Sequence, residues 1–198
     1  MKIPLGFEMP THGFAAKKIE KFKDENADTE TALGLLLTAF PWNQNRAHVL
    51  LKVAAINSLY STQIYGVKEV AGRIEKLSID GRLESGDTDI VEEIASVSFA
   101  SKNGDGDPIK RRNYSFATKY CAWHNSEKYP LYDSRVETCL RAYQQQEEFT
   151  EPFDWEDLRD FGRFRTVIDA FRSKYLDDFG YKELDMFLYQ LGTDCFYS

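Results

Sequence analysis

Apolar residues recur three and four positions apart through most of this chain, and that periodicity restricts its fold more than any other feature. The run "RAHVLLKVAAINSLYST", residues 46–62, carries the pattern most densely, as a helix buried along one face does. "VKEVAGRIEKL" (67–77) and "DIVEEIASVSF" (89–99) read as amphipathic helices, with Thr88 placed to cap the second. Two short helices are expected at 13–23 and 29–39, ended by Pro41. Others are expected over 112–124, from about 133, along "DWEDLRDFGRFRTVIDAFRSKYL" behind a capping Asp154, and at "KELDMFLYQLG". In the last but one, Trp155, Phe161, Phe164 and Phe171 fall at helical spacing and read as core. Strand-like runs of period two are nearly absent. The expected class is all-α, and 198 residues suffice for one well-cored domain or two small lobes.

Composition narrows the function. Cys121, Cys139 and Cys195 are odd in number and far apart, which suits neither a disulfide framework nor a zinc site. No stretch approaches the roughly 18 apolar residues of a membrane span, and "MKIPLGFEMP" has no apolar signal core. A cytoplasmic monomer with no metal, no cofactor and no membrane partner is the expectation. The formal charge of −7 argues against general polyanion binding. Yet six Lys/Arg face three Asp/Glu between Lys102 and Lys128, with "KRR" at 110–112. Such a run is either a solvated face or a local grip on phosphate.

Two stretches bear on that choice. Gly104 and Gly106 lie in a turn, "SKNGDGDP", between the helices expected at 89–99 and 112–124, a helix–hairpin–helix arrangement. Glycines admit a phosphate to backbone N–H groups, and a following helix N-terminus adds its dipole. Lys110, Arg111, Arg112 and Asn113 stand at that helix start. The alternative is a plain connector. In "YPLYDSRV", Pro130 extends the chain and Asp133 opens the next helix. As an N-cap alone Asp133 contributes about 1 kcal/mol. A capping carboxylate also suits a developing cation, or a proton from water.

The succession helix, glycine turn, helix, "YPLYD", helix resembles the helix–hairpin–helix DNA glycosylase superfamily, closest to its small 8-oxoguanine DNA glycosylase-like branch. The resemblance covers roughly residues 46–145. It implies that Asp133 matches the catalytic aspartate and that "STQ", Ser61 to Gln63, lies near a DNA strand. Bifunctional members carry a lysine nucleophile at the N-terminal end of the helix after the hairpin. Here Tyr114 or Ser115 occupies that place, and Lys119 stands one turn later, as displaced machinery or as a phosphate or structural contact. The four-cysteine iron–sulfur signature of some members is missing, and "NGDGDP" replaces the usual "PGVG".

The resemblance therefore implies a single helical glycosylase-like domain, with hairpin and active segment over 88–137. Its activity would be hydrolysis of the N-glycosidic bond of a base flipped from duplex DNA, leaving an abasic site without strand cleavage. The base would be oxidised guanine, an alkylated base or a modified base such as those of bacteriophage DNA, in repair or in defence. Tyr60, Trp123 and Tyr132 are pocket candidates, each with a core-packing alternative, and His124 is a fourth whose alternative is a helix C-terminal role. Arg135 would hold a phosphate or a neighbouring carboxylate. Two rivals stand beside this reading: a non-catalytic DNA-binding module of the same fold, and an all-α protein-interaction domain.

Overall fold

A computed structural model describes residues 8–99 and 108–196. Helices dominate them, and none is long and apolar enough to cross a membrane. The chain divides into two compact units: residues 28–128, and residues 1–27 with 129–198.

Helix α1, His12–Ala39, carries residues of both units and is continuous where two short helices were expected. The intervening "DENAD" is polar but holds neither glycine nor proline, so nothing breaks the hydrogen-bond ladder. Thr11 caps its start, accepting from Phe14 N at 3.3 Å, and Pro41 ends it.

In the 28–128 unit, α2 (Arg46–Leu59) begins at Asn45, whose side chain accepts from the N–H groups of Ala47 and His48. Val49, Lys52, Val53 and Ile56 form its buried stripe. It packs on α3, Val67–Leu77, which buries Val70, Ala71 and Ile74. Short α4 (Asp80–Ser85) and α5 (Asp89–Ala95) follow. Thr88 makes no side-chain cap; Asp87 Oδ1 takes the Asp89 N–H at 3.0 Å. Helix α6, Tyr114–His124, packs on α5 and on α2.

The helix expected over 89–99 stops at Ala95. Strands β1 (Ser96–Phe99) and β2 (Ile109–Arg112) pair antiparallel, Val97 opposite Arg111 and Phe99 opposite Ile109. The helix–hairpin–helix expected here is replaced by helix, strand, strand and helix. Ser96-Val97-Ser98-Phe99 alternates small polar with apolar, and only the non-local partner strand rewards that period. Gly104 and Gly106 lie outside the described residues.

In the other unit, α7 (Ser134–Glu147) packs on α9 (Tyr181–Phe196). Gly192 permits this, since a Cβ there would lie 2.9 Å from the Arg135 carbonyl oxygen. Between them, Asp154 accepts from the N–H groups of Glu156 and Asp157, closing a turn before a 3-10 segment, Asp157–Arg159. The cap of α8 (Phe161–Tyr175) is Asp160 rather than Asp154. Phe161, Phe164 and Phe171 are buried as expected. Trp155 is not: it is 42% exposed, with the Arg159 guanidinium over its ring. Cys121 and Cys139 are buried free thiols and Cys195 is exposed.

Candidate functional site

The ribbon meets the turn that follows α2. Asn57 Oδ1 accepts from Thr62 Oγ1 at 2.9 Å and Ile64 N at 3.0 Å, bending the chain so that Ser61 and Gln63 take left-handed φ of 49° and 54°. Both are exposed. Gly66 follows at φ 68°, and the Phe99 ring occupies the place a Cβ would need. Tyr65, 70% exposed, carries the Arg111 guanidinium 5.4 Å from its ring centre. The turn at 61–63 and the basic strand are thus neighbours, a juxtaposition their separation in sequence did not announce.

The cations of β2 differ in setting. Lys110 and Arg111 are exposed. Arg112 is matched: its guanidinium donates to Glu92 at 2.6, 2.8 and 3.0 Å and lies 4.6 Å over Tyr114. Burial works against the Glu92 charge, but the bonds from Arg112 and Ser96 outweigh it and hold its carboxyl below the usual range. Asn113 donates its backbone N–H to Ala95 O at 2.8 Å, and its side chain makes no cap.

Residues 115, 119 and 123 line one stripe of α6. Lys119 is 1% exposed, and its Nζ donates to Ser115 Oγ at 2.8 Å. The same ammonium lies 5.5 Å from the centre of the Tyr60 ring, and Trp123 Nε1 donates to Tyr60 OH at 3.0 Å. Lys119, Tyr60 and Trp123, expected separately as site residues, are therefore one cluster with Ser115 at the C-terminal end of α2 and along α6.

His124 is in another place. Its Nδ1 meets the Tyr120 carbonyl at 2.7 Å, which fixes the proton there, and its Nε2 accepts from Lys52 Nζ at 3.0 Å. With both ring nitrogens engaged, His124 has nothing to offer a base edge, and its expected pocket role gives way to a structural one. Lys52 Nζ also donates to Trp42 O at 3.1 Å and Asn43 Oδ1 at 2.7 Å, so its three protons have three acceptors. Tyr120 OH donates to Asn43 Oδ1 at 2.6 Å, and Asn43 Nδ2 donates to Asp80 at 2.7 Å. Burial lowers Lys52 to about 8, with Asp80 opposing. Burial, then the Lys52 charge, lowers His124 to about 4. The signal for this network in the sequence is a lysine inside the apolar stripe Val49, Val53, Ile56.

In the other unit Asp133 is the N-cap of α7, as its position suggested. Its Oδ1 accepts from Arg135 N at 3.0 Å, with Arg135 Nη1 at 3.6 Å. The carboxylate side chain is 14% exposed. Arg135 thus holds a neighbouring carboxylate, and its guanidinium lies 4.8 Å over the Tyr189 ring. The preceding segment is core: Tyr129 stacks on Phe161 at 5.8 Å, and Tyr132 lies edge-on to Phe164 while its hydroxyl donates to Glu137. Packing, the alternative considered for Tyr132, describes its surroundings. Among the described residues, His12, Asp177 and Asp178 bring metal-ligand atoms together, all three exposed, with His12 Nε2 2.7 Å from Asp178 Oδ1.

Residues 14–129 match the HI_0787_N family, described as an N-terminal domain. Over 149 residues the chain is 36% identical to an uncharacterized protein of Haemophilus influenzae, a match covering 75% of this chain and 68% of that protein. No solved structure matches. The residues matched to the family include the ribbon strands and Lys119 and stop short of Asp133.

Proposed function

This chain belongs to the HI_0787_N N-terminal domain family, and we propose that it is a DNA N-glycosylase that releases a damaged or modified base and leaves an abasic site. The observation that carries the proposal is Asp133: a carboxylate fixed by the first turn of α7 and still partly open to solvent. Departure of a base from C1′ builds positive charge on the deoxyribose, and an ionised carboxylate stabilises that charge where it develops. Water then adds its oxygen to C1′, the bond electrons leave with the base, and the carboxylate takes the water proton. Lys110 and Arg111, exposed on β2, supply phosphate contacts. Lys119, buried beside Ser115 and Tyr60, acts as a local structural cation, so no Schiff base forms and the strand is not cut.

Asp133→Asn tests this cleanly, because asparagine caps a helix as well as aspartate does while lacking the charge. Pure protein is incubated with duplexes carrying oxidised guanine, alkylated bases, uracil or phage-modified bases, then assayed for breaks with and without alkali. Alkali-dependent breaks in wild type, reduced about 100-fold or more by Asp133→Asn with DNA affinity retained, are expected. Base release unaffected by Asp133→Asn overturns the catalytic role. No release on any substrate, with salt-sensitive binding, makes the protein a binding module.

A further inference from the structure

Tyr65 is one of several large apolar side chains exposed among the described residues, and the proposed base release gives it no role. Tyr65 projects from the turn before α3 with 70% of its surface in solvent, and Arg111 covers one side of its ring at 5.4 Å. Ile109, 45% exposed, lies two residues from Arg111 on the same face of β2. A large aromatic this open has no core role, and a guanidinium over a tyrosine is attracted to the ring face. The position is also built: Gly66, left-handed at φ 68°, lets the Phe99 ring close under the turn, and Asn57 clamps the turn through Ile64 N. A hydrogen-bonded turn presenting an aromatic next to a strand that presents an arginine, an aliphatic side chain and the exposed Lys110 is the surface chemistry that holds unpaired bases. One base stacks on the open ring face while Arg111 and Lys110 meet the adjacent phosphates.

We propose that Tyr65, with Arg111 and Ile109, is a stacking platform for an unpaired nucleobase, so that the protein binds single-stranded DNA more tightly than the same sequence as a duplex. The proposal deepens the nucleic-acid reading and rests on it. A duplex hides its base faces, and against it the platform offers only its two cations. Single strands expose those faces and gain the stack in addition.

The test is fluorescence anisotropy with a labelled 20-nucleotide oligothymidine and with a labelled thymidine–adenine duplex of equal length, across a salt series. Wild type is expected to favour the single strand. Tyr65→Ala should weaken single-strand binding about tenfold, change duplex binding less than about twofold, and leave the salt dependence intact because no charge is lost. Tyr65→Phe should restore single-strand binding, since the stack needs the ring and not the hydroxyl. Arg111→Gln should weaken both ligands and lower the salt slope by about one. The exposed position of Tyr65 keeps these variants folded, which circular dichroism checks. Equal affinity of wild type for strand and duplex, or indifference of single-strand binding to Tyr65→Ala, overturns the platform. Tyr65-dependent binding without base release on any substrate sinks the glycosylase while the platform stands. Base release with Tyr65-independent binding does the reverse.

Discussion

The 28–128 unit keeps cations in two contrasting places. Inside it, Lys52 has three acceptors, Trp42 O, Asn43 Oδ1 and His124 Nε2, and Asn43 passes the connection on to Asp80. On its surface, Lys110 and Arg111 stand in solvent, and Arg112 is held by Glu92. Taking an ammonium out of water costs several kcal/mol, so an interior lysine persists only where geometry returns that cost through bonds. Such a group is committed to the fold. An exposed arginine over a tyrosine carries no such debt to the interior, and its charge remains available to a ligand. The difference teaches that charge alone does not mark a binding residue: the sum of acceptors around it does.

The contrast breaks hardest at Lys52. Lys52→Met keeps the volume but strips His124 Nε2 and the Trp42 carbonyl of their donor, and should cost about 3 kcal/mol or more, measured from urea midpoints. A loss below about 1 kcal/mol would mean the network is not holding the fold.

Next comes pH. His124 is pushed down to about 4 by burial and by Lys52, against 6.5 when free. Between those values the unfolded chain binds the extra proton, so stability rises with pH across that window and is lost as pH falls. Roughly 2 kcal/mol should disappear between pH 7 and pH 5. Thermal melts of wild type and His124→Gln check this: the variant should be flatter between pH 5 and 6.5. Lys52, lowered to about 8, adds a second rise between about 8 and 10.5 by the same sign, because there too the unfolded chain holds more protons.

The smallest effects belong to the ribbon. Lys110→Gln should leave stability within about 0.5 kcal/mol yet lower the salt slope of the proposed DNA binding by about one. Glu92→Gln works oppositely, releasing Arg112 and raising that slope by up to about one. A ribbon variant that unfolds the protein without altering any slope would erase the distinction between the two regions.

Much of the helical frame is legible in the amino-acid order. The α3 bounds, the burial of Phe161, Phe164 and Phe171, and Asp133 as the cap of α7 all follow from spacing, capping chemistry and proline geometry, which act within a few residues. The joining of the expected helices at 13–23 and 29–39 was harder, because it depends on the absence of a breaker rather than on a positive signal.

What the amino-acid order determined by itself, then, is the set of local elements and the isolated position of Asp133 at a helix start. Tertiary structure alone decided three things. Ser96 to Phe99 left the helix pattern of 89–99 because Ile109 to Arg112 offered a paired edge, and a four-residue strand has no stability without its partner. Lys52 became an interior cation because His124, far along the chain, and Asn43, held in turn by the distant Asp80, meet its ammonium. Tyr65 and Arg111 became one surface feature because β2 brings the guanidinium over the ring. Each depends on contacts between residues far apart in sequence, whose closure the chain repays only when the whole unit assembles.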